Sequence, residues 1–231
     1  MKPSFLAPAV LATVFLAACS KTPEPAPPPP LPAPTVTIGS AAGQYKLDPY
    51  HSNLSFKVMH LGLAPYVARF TKVDATLDLD PANLAASKVS VTIDPASVRT
   101  DFSGDYAATH KGSPYKTFDE ALAKDVKFFN AAQFAQITFQ STGVKVTGNN
   151  RLQITGDLTL LGKTQPVTLD ATVTGSMAQH PWTKAGAVGF SATGTFKRAP
   201  FGMDQLLQFV SDDVTIEFNG EFHQPPSAPA S

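Results

Sequence analysis

The sequence predicts an all-β domain: an antiparallel barrel of about eight strands, with a short helical segment capping one end. Three observations lead there. Apolar and polar residues alternate with period two in segment after segment, the mark of strands wet on one face and dry on the other. Charged residues make up only 16% of the chain, while 15 glycines and 21 prolines punctuate it, a balance that suits turn-rich sheet better than helix. One stretch alone, between Ser113 and Phe134, carries apolar residues at helical spacing. Closing the sheet removes its exposed edges, which favours a barrel, although alternation by itself does not separate a barrel from a sandwich.

The strands follow in order. Leu54, Phe56, Val58 and His60 share one face. Val73, Ala75, Leu77 and Leu79 alternate with Asp74, Thr76, Asp78 and Asp80, and Pro81 ends the run. Val89, Val91 and Ile93 form the next face, interrupted at Pro95. Ile137, Phe139, Val144 and Val146 lead to the turn Gly148-Asn149-Asn150. Leu152, Ile154, Leu158 and Leu160 continue beyond it, with Gly156 as a bulge or bend. Three more strands carry Val167 to Val173, Val188 to Phe196 and Val214 to Phe222. In the helical segment Phe118, Leu122 and Val126 recur every fourth residue, acids come early and lysines late, and Leu122, Val126 and Phe129 are expected to face inward. The segment reads as one or two short helices, either a lid or a plain plug.

The flanks are of another kind. Lys2 precedes an apolar run from Phe5 to Leu16 that is too short to span a bilayer in the usual way. Leu16-Ala17-Ala18-Cys19, with the only cysteine of the chain, resembles the lipobox of bacterial lipoprotein signal peptides. The expected organisation is a signal peptide at 1–18, a lipidated Cys19 with a proline-rich linker at 19–42, the barrel at 43–223 and a disordered tail at 224–231. The expected location is the cell envelope on the periplasmic side, lipid-anchored. Ser20, standing where aspartate would retain the protein at the inner membrane, favours the outer membrane. Attachment through several acyl chains holds far better than through one.

Composition excludes several function classes. Lysine plus arginine and aspartate plus glutamate both number 18, and no basic block occurs, so a nucleic-acid partner is not expected. No Gly-x-Ser-x-Gly elbow and no glycine-rich phosphate loop occur, which points away from an enzyme and from a cofactor. His51 and His60 lie nine residues apart without a dense cluster of ligands beside them, so no metal is expected. His110, His180 and His223 read as loop or terminal residues.

A run of blocks resembles the YceI-like family of exported bacterial proteins. It comprises Tyr45-Lys46-Leu47-Asp48, His51-Ser52, Phe56, Val58, His60-Leu61-Gly62 and Phe70. Val91-Thr92-Ile93-Asp94 follows, then Phe128-Phe129-Asn130 and Gly156-Asp157-Leu158-Thr159-Leu160. Arg198 and Phe201-Gly202-Met203 precede the closing strand. The resemblance implies a lipocalin-like barrel that binds a long apolar or amphiphilic molecule, polyisoprenoids being the characteristic class. Two departures stand out: Arg69 before Phe70, where members often have glycine, and a different segment from Ser113 to Val126.

The candidate ligand-binding residues are Phe56, Val58, His60, Phe70, Phe128, Phe129, Phe139, Phe190, Phe196, Arg198 and Phe218, with Ala75, Ala171, Ala192, Gly194 and Gly220 as small residues on the same faces. Large rings opposite small residues leave room for an elongated void. Apolar side chains also fill small barrels outright, and both outcomes stand open here. His60 could donate to a headgroup or simply bond to backbone. Arg198 is read first as an ion-pair partner of Asp204 or Asp48 and second as a headgroup ligand, with Arg69 as another candidate at the mouth. The functional expectation is a lipoprotein that binds an isoprenoid-like lipid for sequestration or transport, with homodimer formation left open. The alternatives are an envelope barrel with a filled interior and an enzyme acting on a lipid or quinone.

Overall fold

A computed structural model describes residues 33–225. Its strands are β1 (Gly43–His60), β2 (Ala64–Phe70), β3 (Val73–Leu79), β4 (Lys88–Ile93), β5 (Val98–Thr100), β6 (Ile137–Gly148), β7 (Arg151–Leu160), β8 (Lys163–Met177), β9 (Ala187–Lys197) and β10 (Val210–His223). Every pairing is antiparallel, and β10 pairs with both β9 and β1, which closes the ring. β2 and β3 are two pieces of one stave, pairing with the second and first halves of β1 respectively. β4 and β5 divide another stave around Pro95. The sheet is thus the expected antiparallel barrel of eight staves, lipocalin-like in form.

The alternation read from the sequence sets which side chains turn inward. One end of the barrel is packed by Leu54, Phe70, Phe129, Ile137, Phe139, Leu160, Phe201 and Met203. The other end is packed by Tyr45, Leu47, Leu77, Leu79, Leu152, Val188 and Phe222. Between them Phe56, Val91, Ile154, Leu169, Phe190, Ala192 and Phe218 point inward yet are only half-buried. Their inner faces border a hollow.

Several expectations need correction. β2 and β5 have no counterpart in the predicted strands: β2 carries Pro65 and an exposed Val67 that blur its period, and β5 is only three residues long. The predicted helical segment shortens to α2 (Phe118–Lys124), and α1 (Tyr106–Thr109) forms upstream of it. Thr117 caps α2 through Oγ1, which accepts from the Glu120 amide at 3.1 Å. The backbone turns extended at Asp125, so Val126 leaves the helical face and is 76% exposed, whereas Leu122 and Phe129 face inward as expected. α2 packs beside β5, where Asp119 accepts from both the amide and the hydroxyl of Thr100 at 2.8 and 2.7 Å. It lies at the end where β5 and β6 do not pair.

At Gly156 the bulge lies on the partner strand. Ser141 pairs with Gly156 and Gly143 with Thr155, leaving Thr142 of β6 as the extra residue. Gly156 is needed because the Phe139 ring lies across it, and an added Cβ would sit 2.6 Å from the Gln140 carbonyl oxygen. Gly156→Ala is therefore expected to destabilise the barrel by about 2 kcal/mol, the usual scale of overpacking. Urea denaturation reads it; an unchanged midpoint would mean that both the Phe139 ring and the Gln140 backbone shift aside freely.

Chain order begins before the predicted domain boundary. The Thr35 amide donates to Asn149 Oδ1 at 3.1 Å, the Thr37 amide to Asn150 Oδ1 at 3.0 Å, and the Gly39 amide to Ser176 Oγ at 2.6 Å. The segments expected to form a signal peptide and a lipidated Cys19, most of the expected linker, and residues 226–231 lie outside the described residues.

Candidate ligand-binding cavity

The hollow is an apolar cavity of about 210 Å³ that reaches from one packed end of the barrel to the other. Leu79, Leu84 and Phe222 stand at one extreme, and Phe129, Met203 and Arg198 at the opposite one. Leu84 enters from a single helical turn, residues 84–86, and so escapes strand periodicity. The small side chains of Ala75, Ala171 and Ala192 form part of the wall. Along β10 the wall runs from Val214 to Phe222, eight residue steps. At a typical strand rise and a barrel tilt of roughly 40°, that is about 20 Å along the axis.

Among the candidate residues, Phe56, Val58, Phe70, Phe129, Phe139, Phe190, Phe196, Arg198 and Phe218 line this cavity. Phe56, Phe70 and Phe129 meet ring to ring, with centroids 5.4, 5.3 and 5.8 Å apart. Such contacts add to simple area burial and hold that end of the cavity in shape. His60 does not join the wall. Along β1 the alternation holds, since Val58, Met59 and His60 stay in register with Tyr66, Pro65 and Ala64 of β2. The slip against β10 puts its extra residues, 211–213, on β10. His60 is the last residue of the strand and is exposed there. Phe128 is half-buried against the outside of the same core, because its neighbour Phe129 takes the inward position.

Arg198 corrects the ion-pair expectation. It is 4% exposed, yet its partners are carbonyl oxygens, not carboxylates. Nε donates to Ser211 at 2.9 Å, Nη1 to Met203 at 2.7 Å and to Gln205 at 2.9 Å, and Nη2 to Val210 at 2.9 Å. Burial pushes its pKa down, and the nearby Asp212 and Asp204 push the other way. The guanidinium thus organises the chain between β9 and β10 at one end of the cavity.

Arg69 faces outward, directly across from Arg99. It borders a polar surface cleft of about 510 Å³, formed where β1 leaves β3 and has yet to meet β2. Asn53, Lys72, Asp74 and Asp94 share the cleft, and Phe70 and Phe218 line both it and the inner cavity.

A YceI-like domain model matches residues 45–222. The chain belongs to the YceI-like family. Protein YceI of Salmonella arizonae is 37% identical over 183 residues, which cover 78% of this chain and 87% of the relative. Protein YceI of Salmonella paratyphi B matches to the same extent, 37% over 183 residues. Among solved structures, BcnA of Burkholderia cenocepacia superposes with a TM-score of 0.61 at 26% identity, covering 76% of this chain and 98% of that one. A polyisoprenoid binding domain from Saccharophagus degradans, implicated in plant cell wall breakdown, shares the fold at a TM-score of 0.56 and 14% identity, covering 80% of this chain and 99% of its own.

Proposed function

We propose that this YceI-like barrel binds one long apolar or amphiphilic lipid of isoprenoid type along its axis, for sequestration or transport in the cell envelope. The observation that carries the reading is the continuous apolar cavity between the two packed ends. Its length suits a fatty-acyl or short polyprenyl chain. Covering apolar wall supplies roughly 25 cal/mol per Å² before the costs of ordering the ligand. The wall is mostly apolar side chains, with Ser55, Ser87, Lys88 and Arg198 as its polar members, a lining that supports binding of a long apolar chain. The shared fold with a domain described as polyisoprenoid binding supports the same class of ligand.

The anchor belongs to the same proposal: Cys19, once lipidated, tethers the barrel at the periplasmic face, with the outer membrane favoured, and the proline-rich tract serves as the stalk. Native mass spectrometry of the full chain after mild purification tests both halves. The expected spectrum shows a chain beginning at an acylated Cys19 and carrying one further, non-covalent lipid. A ligand-free protein that gains no thermal stability from added isoprenoids would sink the carrier reading, and an unmodified N-terminus would sink the anchor.

A further inference from the structure

Outside the barrel, at the end where β10 finishes, the fold gathers side chains that are far apart in sequence. Glu221 and His223 stand two residues apart on β10, so both point outward while Phe222 between them is buried in the core. On β9 their cross-strand neighbours are Gly189 and Ala187, neither of which presents a long side chain beside them. On the other side β1 makes an unusual excursion. Leu47 pairs with Phe222 and Ser52 with Gly220, so the four residues 48–51 oppose Glu221 alone. A bulge of this kind re-aims side chains, and here it turns Asp48 and His51 toward Glu221.

His180 arrives from the loop between β8 and β9. Its amide donates to the Ala185 carbonyl at 2.7 Å and its carbonyl accepts from the Lys184 amide at 2.9 Å, which closes the loop into a tight turn. The Gln224 amide, bonded to the Gly186 carbonyl at 2.9 Å, ties that turn to the end of β10. The His180 and His223 rings lie 4.6 Å apart between centroids, and His223 Nε2 is 3.3 Å from Glu221 Oε2.

We infer that His180, Glu221 and His223 form a binding site for a divalent transition-metal ion of the class that prefers imidazole, zinc foremost. One ligand atom from each lies within 4.8 Å of the others. Around a tetrahedral zinc, with bonds of about 2.0–2.2 Å, ligand atoms lie about 3.3 Å apart, so rotations of three side chains close the site. Two imidazoles and one carboxylate suit zinc, nickel or copper and disfavour calcium and magnesium, which take oxygen. The contact from the Thr183 amide to His180 Nδ1, at 3.4 Å, is long and gives way as the ring turns. His51 is assigned a flanking role: it already bonds Asp48 at 2.7 Å and its side chain is 65% exposed. The bound ion would pin the β8–β9 loop to the barrel wall, apart from the lipid cavity.

The test uses the full chain, stripped with EDTA, dialysed and titrated with zinc sulfate by isothermal calorimetry. One zinc per chain is expected, with a rise in melting temperature on saturation. His180→Ala, His223→Ala and Glu221→Gln should each weaken binding about tenfold or more, His51→Ala should weaken it less, and His110→Ala should leave it unchanged. Melting curves without zinc show whether each variant folds, and Glu221→Gln preserves shape if the histidine variants do not. Absence of uptake, uptake indifferent to His180 and His223, or a larger loss in His51→Ala than in His180→Ala would overturn the assignment. Because the readout is zinc, failure here leaves the lipid proposal standing, and the reverse also holds.

Discussion

Replacing Ala192 with phenylalanine is expected to abolish most lipid binding while leaving the barrel folded. Ala192 pairs with Ala171 on β8 and with Phe218 on β10, and all three line the cavity. Its inward face borders empty space, so a phenyl ring placed there enters a void of about 210 Å³ without displacing a packed neighbour. Overpacking penalties arise in full cores; filling a void is neutral or stabilising. The ligand loses what the ring takes. Denying it roughly 100 Å² of apolar contact at about 25 cal/mol per Å² removes about 2.5 kcal/mol, close to a hundredfold in Kd. Displacement of a fluorescent fatty probe measures the affinity, and a melting curve checks the fold. Thr193→Phe is the companion variant: one residue along the strand, it points to solvent and should bind normally. Unchanged affinity in Ala192→Phe would place the ligand somewhere other than the cavity.

Period two is why so much of the wall was legible. On β9 the residues Phe190, Ala192 and Phe196 keep strict alternation, and on β10 so do Val214, Ile216 and Phe218; the strand pairing holds every one to the face the sequence assigns. What escaped has local causes. His60 is in phase with Phe56 and Val58, but β1 ends at it, and a period of two does not say where the wall stops. Val126 sits at perfect helical spacing, but the helix ends at Lys124, and a four-residue repeat does not reveal where the backbone turns. The break in regularity at Gly156 was legible, while its owner, β6, was not.

The candidate metal ligands illustrate a different limit. His180 and His223 are 43 positions apart, and only the closing of β8, β9 and β10 side by side brings their rings together. No spacing rule connects them. A weak signal was present in Glu221-Phe222-His223, two ligand types flanking the aromatic residue at which the last predicted strand stops; β10 runs one residue further, and that places both on the outer face.

Arg198 is where the largest loss of stability is expected. Its guanidinium satisfies carbonyl oxygens of Met203, Gln205, Val210 and Ser211, so one side chain holds the whole connection between β9 and β10. A methionine in its place fills similar volume and leaves those carbonyls without their donor. Hydrogen bonds from a charged donor are worth about 1.5–3 kcal/mol each, and water reaching the loosened loop recovers part of that, so a net loss of about 3 kcal/mol or more is expected. For a domain of this size that lowers the melting temperature by about 6–12 °C. Lysine separates architecture from charge. It keeps the positive charge at the cavity end but lacks the planar fork that reaches several carbonyls at once. If Arg198 acts through the loop, Arg198→Lys melts nearly as low as Arg198→Met. If it acts through a ligand headgroup, lysine restores binding of an anionic amphiphile to the wild-type level. Differential scanning calorimetry beside the probe-displacement assay reads both. A wild-type melting temperature in Arg198→Met would show that the loop stands without its carbonyl hub.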